Sequence, residues 1–252
     1  MLDKINVDEI QASSRMYPAI MFEQLREAGD QIIEVDGLTA YDEAGEILFK
    51  NLSFKLNRGD KVALLADDHR ALTALYEILE GKRKADAGTF AYGQTISTSF
   101  LPNDNASYFD TDDNLMDWLR DYSPENKDEV FVRGFLGKML FSGEETFKTA
   151  NVLSGGEKVR CMLSRMMLRG GNFIMLDEPT NHLDLESIQA FNNALISFPG
   201  TVIFTCHDHH FTQTVANRIV EITPNGCLDK LMTFDEYITN AKVKEQKQLL
   251  LN

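Results

Sequence analysis

The sequence is poor in cysteine, tryptophan and positive charge. It has three Cys and one Trp in 252 residues, and 25 Lys plus Arg against 39 Asp plus Glu. Cys161, Cys206 and Cys227 are odd in number and widely spaced. That excludes a disulfide framework and points to a reducing compartment. A net charge of −14 provides no overall basic footprint for nucleic acid, although a local cluster such as Lys82-Arg83-Lys84 stays open. No apolar run approaches the roughly 20 residues that cross a bilayer. The opening MLDKINVDEI lacks the charged-then-apolar layout of a signal peptide. What is present is ordinary for a cytoplasmic globular chain: 43% hydrophobic and 25% charged residues, with length for one large domain or two small ones.

Residues 1–30 are polar and weakly periodic, and read as a linker or peripheral helix. IIEV (32–35) and ILFKNLSFKL (47–56) suit strands, and KVALLA (61–66) suits a buried one. Residues 71–81 have helical spacing and stop at Gly81. Residues 112–141, 156–169 and 184–198 are helical in pattern, whereas FIMLDE (173–178) and TVIFTC (201–206) are short apolar strands. RIVEIT and CLDKLMT read as edge-like strands, followed by a polar helix or tail. Alternating strands and helices in the second half predict an α/β fold with a parallel sheet, and the strands at 32–56 predict an added antiparallel piece.

Two segments carry chemistry. In Leu176-Asp177-Glu178-Pro179-Thr180-Asn181-His182-Leu183-Asp184, an apolar strand ends in two carboxylates, at the sheet edge where ligands bind in open α/β sheets. Asp177 there suits Mg²⁺, and Glu178 suits an attacking water; a bare turn before Pro179 is the plainer reading. In Leu153-Ser154-Gly155-Gly156-Glu157, two glycines before a helix let N–H groups approach an anion. The plainer reading is a capping box from Ser154 to Glu157. His207 follows a buried strand within Cys206-His207-Asp208-His209-His210, a tract that also admits metal binding. Successive residues at a helix start point in different directions, so few of them could share one ion.

With LSGGE and LDEPTNHLD in this order, Ser154 23 residues before Asp177, the chain resembles the ATP-binding cassette (ABC) ATPases, and EPTNHLD resembles the ABC-F subfamily of soluble tandem ATPases. The resemblance implies a P-loop NTPase-like ABC nucleotide-binding domain with an antiparallel β subdomain and a small helical subdomain. It implies a division into the end of an interdomain linker (1–30), a cassette (31–240, with the helical subdomain at about 110–168) and a C-terminal tail (241–252). It also implies ATP and Mg²⁺ as ligands. Glu178 and His207 would be catalytic, and Asp177 and Thr73 would hold the metal. Ser154, Gly155, Gly156, Glu157, Thr73, Tyr41 and Asn103 would bind ATP or its phosphates, Tyr41 by stacking on adenine, and Asp184 would lie at a dimer interface.

The departures fall in one place. Where the family carries G-x-N-G-x-G-K-[ST], this chain reads Ala66-Asp67-Asp68-His69-Arg70-Ala71-Leu72-Thr73. The glycines and the lysine are gone, two acids stand where phosphates would be cradled, and only Thr73 fits. His69 and Arg70 replace the lysine at best in part. The family's glutamine is represented by the shorter Asn103. The expectation is the C-terminal cassette of a tandem protein whose LSGGE completes the ATP site of an N-terminal cassette. The isolated fragment would bind ATP weakly and hydrolyse it negligibly, and a head-to-tail self-dimer of it stays open. By resemblance the full protein acts on the ribosome, with no membrane partner. The alternatives are the ATPase subunit of a transporter and a non-catalytic scaffold cassette.

Overall fold

The computed structural model describes residues 17–123 and 128–251. In chain order the elements are β1 (Gln31–Tyr41), β2 (Ile47–Asn57), β3 (Lys61–Ala66), α1 (His69–Leu79), β4 (Ala87–Tyr92) and β5 (Thr98–Leu101). There follow α2 (Leu115–Arg120), α3 (Glu129–Lys138), α4 (Gly155–Arg169), β6 (Phe173–Asp177), α5 (Leu185–Ser197), β7 (Thr201–Thr205) and α6 (His209–Val215). The chain closes with β8 (Arg218–Thr223), β9 (Gly226–Lys230), α7 (Phe234–Thr239) and α8 (Ala241–Leu251).

The central sheet has the order β5-β6-β7-β3-β8-β9, parallel except for the β8–β9 pair. Every residue of β6 and β7 is buried, as the continuous apolar runs require for strands covered on both faces. Their side chains divide by alternation. Ile174, Leu176, Val202 and Phe204 join a core with α4, α5 and the helical part, whereas Phe173, Met175 and Ile203 join a second core with α1 and the small sheet. That small sheet, β2-β1-β4, is antiparallel throughout. The expected α/β fold with an antiparallel piece and a small helical part is therefore present. The helical run expected at 112–141 resolves into α2 and α3, and residues 124–127 lie outside the described residues.

One expectation changes, that of an edge strand at RIVEIT, and two open readings narrow. The described part of the N-terminal segment, residues 17–30, is a strap without regular helix. Its Phe22 packs edge-on to Phe191 and Phe198, and the Leu25 N–H donates to Gly170 O at 2.9 Å; residues 1–16 of the expected linker lie outside the described residues. β8 is buried at every position and sits between β3 and β9, so it is no edge strand. The charged side chains of β8 are paired. Arg218 reaches both oxygens of Asp229 (2.7 and 2.5 Å) and Asp60 (2.6 Å), and Tyr237 donates to Glu221 at 2.6 Å. Finally, the C-terminal segment forms α8, which docks by burying Val243 and by the Asn225 amide donating to Leu250 O.

Candidate functional site

The β6 strand delivers Asp177 and Glu178 to the C-terminal end of the sheet, both only 5% exposed. The neighbouring strand β7 fixes them through one residue. Thr205 Oγ1 donates to Asp177 Oδ1 at 2.8 Å, and the Glu178 N–H reaches Thr205 O at 3.2 Å and Oγ1 at 3.1 Å. Glu178 holds φ +49°, a left-handed conformation unusual for a side chain of this size, which turns the chain sharply into Pro179. The His207 N–H donates to Glu178 Oε2 at 3.2 Å, and the His207 Nε2 is 3.4 Å from Oε1 while the ring stays 86% exposed. Beneath the strand, the buried Tyr76 hydroxyl donates to Leu176 O at 2.7 Å; burial pushes its pKa well above the usual phenol value.

The loop from β3 to α1 faces this pair. The Asp68 carboxylate caps α1 by accepting from the Arg70 N–H at 2.9 Å. Its carboxyl is held below the usual carboxylate range, first by its hydrogen bond with the Arg70 side chain. The His69 ring lies between two residues expected to hold a metal. Nδ1 is 3.4 Å from Thr73 Oγ1, and Nε2 is 3.7 Å from Asp177 Oδ1, beyond hydrogen-bond length but within ion-pair range. Arg70 reaches out to Asp42 at 2.8 Å and Glu46 at 3.6 Å. Lys247 of α8 grips Asp67 at 2.8 Å from the other side.

Beside this loop lies a cavity of about 180 Å³ whose lining includes Thr73, Asp177, Asn103 and Lys82. The structure thus gathers Thr73, Asn103, Asp177, Glu178 and His207 around one end of the sheet. The Asn103 side chain accepts from the Asn181 amide at 3.1 Å. Lys82, read from sequence as a surface charge, lies over the Phe100 and Tyr108 rings, 5.7 Å from each centroid. Its neighbour Arg83 donates to Tyr41 O. Tyr41, expected to stack on adenine, carries Lys50 over its ring at 5.6 Å.

The Ser154–Glu157 segment forms a second centre at the start of α4. The Ser154 N–H and hydroxyl donate to Glu157 Oε2 at 2.9 and 2.8 Å, and the Glu157 N–H returns to Ser154 Oγ, closing a capping box. The Ser154 backbone N–H and Lys148 lower the Glu157 carboxyl to about 2. The glycines serve a close approach. A Cβ on Gly156 would come within 2.8 Å of His182 O, and one on Gly155 within 3.2 Å of the His182 ring. His182 therefore joins the two motifs. Asp184, two residues on, caps α5 by accepting from the Ser187 N–H at 2.7 Å, which holds its carboxyl below the usual range.

In the Cys206–His210 tract the side chains diverge, His207 to Glu178 and His209 to Asp235 at 2.9 Å. Among the described residues no group of three or more His, Cys, Asp or Glu is arranged to hold a metal. Sequence reasoning missed Thr205, Lys247 and His182. Thr205 left a weak signal, a hydroxyl closing an otherwise apolar strand, and Lys247 left none.

The family model described as ABC transporter matches residues 49–181, more than half of the chain. The chain is 55% identical over 247 residues to the uncharacterized ABC transporter ATP-binding protein YkpA of Bacillus subtilis, covering 98% of this chain and 46% of YkpA. It is 30% identical over 204 residues to the energy-dependent translational throttle protein EttA of Escherichia coli K12, covering 79% of this chain and 36% of EttA. It thus spans less than half the length of these relatives. The solved dimeric, post-hydrolysis ATP-binding cassette MJ0796 with ADP and Pi superposes with a TM-score of 0.65 at 15% identity, covering 80% of this chain and 99% of that one. Among the described residues no helix is long and apolar enough to cross a membrane.

Proposed function

From the premise that the chain belongs to the ABC transporter family, whose ATPase domains bind ATP and use Mg²⁺, we propose that it is one cassette of a tandem ABC-F protein acting on the ribosome from the cytoplasm. On this reading it is the C-terminal cassette, and its Ser154–Glu157 segment completes an ATP site built on the phosphate loop of the N-terminal cassette. The observation that carries the reading is the contrast between the two centres. At the α4 N-terminus the capping box leaves Ser154 and Gly155 exposed beside glycine backbone, whereas at α1 the Asp68 carboxylate takes the Arg70 N–H and the His69 ring stands between Thr73 and Asp177. The Gly155 and Gly156 N–H groups, at the first turn of α4, lack intrahelical acceptors, and the helix dipole adds positive potential, while Glu157 holds the Ser154 hydroxyl in place at 2.8 Å. They bind the terminal phosphate presented by the partner cassette. Asp184, which fixes the start of α5, lies at that interface. Glu178 would position the attacking water and His207 would touch the phosphate, a pairing supported by the His207 N–H on Glu178 Oε2 and its ring 3.4 Å from Oε1. Asn103 lines the cavity of the same site, whereas Tyr41 lies outside that lining with Lys50 over its ring.

The translational name of EttA supports the ribosomal assignment, and the match to EPTNHLD supports the subfamily. The name of YkpA favours a second reading, the ATPase subunit of a transporter. Two measurements on the full-length protein test the proposal. Ser154→Arg should abolish ATP turnover, and the protein should co-sediment with ribosomes when turnover is blocked by ATPγS. Undiminished turnover in S154R would remove the shared-site reading. Absence from the ribosome pellet, together with co-purification of a membrane-spanning partner, would favour the transporter.

A further inference from the structure

We propose that this chain's own nucleotide site is filled from within: the Asp68 carboxylate stands where a phosphate would cap α1, and the His69 imidazole stands between Thr73 and Asp177 where Mg²⁺ would sit. This deepens the reading above and rests on its placement of that site at Thr73 and Asp177.

The residues present do not fit Mg²⁺–ATP as they stand. A helix N-terminus offers its free N–H groups and positive potential to an anion. Here the Asp68 side chain takes the Arg70 N–H at 2.9 Å. Mg²⁺ demands oxygen ligands at about 2.0–2.1 Å in near-octahedral geometry. One imidazole instead has its two nitrogens turned to Thr73 Oγ1 (3.4 Å) and Asp177 Oδ1 (3.7 Å). The Thr73 hydroxyl also donates to His69 O at 3.3 Å.

The filled loop is latched from both sides. Arg70 holds Asp68 at 2.9 Å and ties it to Asp42 at 2.8 Å on the β1–β2 turn. Lys247 holds Asp67 at 2.8 Å and buried Glu221 at 2.6 Å. Each of the two acids that would repel phosphates thus has a cation partner within the fold, the Asp67 pair being the more exposed and the weaker. Erosion of the loop leaves the His69 ring between Thr73 and Asp177 at the edge of the cavity, while Thr205 holds Asp177 and Glu178 from β7.

The test is equilibrium binding of Mg²⁺–ATPγS, and of Mn²⁺ by electron paramagnetic resonance, to the unmodified chain, to His69→Ala and to a D68G/H69A double variant. The unmodified chain should bind neither in the micromolar range. H69A should bind at least about tenfold more tightly than the unmodified chain, the double variant more tightly still, and adding Thr73→Ala to H69A should cancel the gain. If the unmodified chain binds as tightly as H69A and T73A weakens both, internal filling is wrong and the site reading survives. If H69A gains affinity but T73A leaves the gain intact, the placement of the site is wrong, and the proposal falls with it. No gain in either variant also overturns it. Should H69A fail to fold, the His69 ring resonance of the unmodified chain decides: it should not move with Mg²⁺–ATPγS, and saturable displacement at micromolar ligand overturns the proposal.

Discussion

Lys247 in α8 pairs with Asp67, 180 positions earlier, at 2.8 Å, and so pins the C-terminal helix to the β3–α1 loop. The same ammonium reaches Glu221 at 2.6 Å. The two arms differ in weight. Asp67 is 68% exposed, where screening leaves an ion pair worth little, whereas the Glu221 side chain is only 8% exposed.

Lys247→Met should therefore lower stability by about 1–3 kcal/mol, because it strands a buried carboxylate with Tyr237 as its remaining donor. Asp67→Asn should cost a small fraction of that. Thermal denaturation of both variants checks the order. Equal or reversed shifts would mean that the exposed arm, and not Glu221, holds α8 in place.

Thr205→Val keeps the shape of the side chain and removes its hydroxyl. Thr205 is 2% exposed, so Asp177 loses a buried hydroxyl donor. The expected cost is about 1–3 kcal/mol, read as a lower urea midpoint at unchanged slope. The Glu178 N–H keeps Thr205 O, so the Glu178 turn should persist, and amide exchange at Glu178 should rise only modestly. An unchanged midpoint would show that Asp177 finds another partner.

The limits of legibility follow from sequence separation and from charge. Asp177 and Glu178 were readable because an apolar run ends abruptly in acids, and Ser154–Glu157 because a capping box is a local pattern. β8 was misread as an edge because Arg218 and Glu221 look like surface charges; their partners Asp60 and Lys247 are distant in sequence and become neighbours only when the sheet closes. The missing glycines of the β3–α1 loop were visible. What fills their place was not, because a histidine turned to Thr73 and Asp177 depends on β6 lying beside the start of α1. The strap at residues 17–30 lacks periodicity because its contacts, Phe22 on two aromatic rings and backbone bonds to the ends of α3 and α4, follow no repeat.

Gly156→Ala and Gly155→Ala separate space from conformation at the α4 N-terminus. The added methyl of G156A meets a backbone carbonyl, His182 O, at 2.8 Å, so the Asn181–Leu183 loop or α4 must move. The methyl of G155A meets the His182 ring at 3.2 Å, and a side chain can rotate away. G156A should thus cost more stability than G155A, on the scale of overpacking at about 1–3 kcal/mol. In the full-length protein it should also impair turnover more strongly. If the two are equivalent, helix propensity and not the His182 contact governs the position.

Lys61 at the opposite end of β3 gives the fold a pH dependence of unusual sign. Its amine is 7% exposed and donates to Phe198 O at 2.7 Å and Gly200 O at 2.6 Å, with no carboxylate partner among its hydrogen bonds. Burial pushes its pKa down from 10.5 to about 8. Between these values the unfolded chain holds a proton that the folded chain has released. The Lys61 contribution therefore rises with pH, by up to about 3 kcal/mol across that window. Tyr76, Tyr92, Tyr237 and the three cysteines are shifted upward by burial and act in the opposite direction. They keep protons in the folded state that the unfolded chain loses, so they weaken the fold as pH rises. Raw stability can fall through this range while the Lys61 term grows. Comparison with Lys61→Met isolates it: the stability of the unmodified chain relative to K61M, from urea midpoints at pH 7.5 to 10, should increase steadily toward high pH. A flat difference would mean that the amine keeps its charge inside the fold on those two carbonyls and the Phe198 ring, whose centroid is 4.8 Å away.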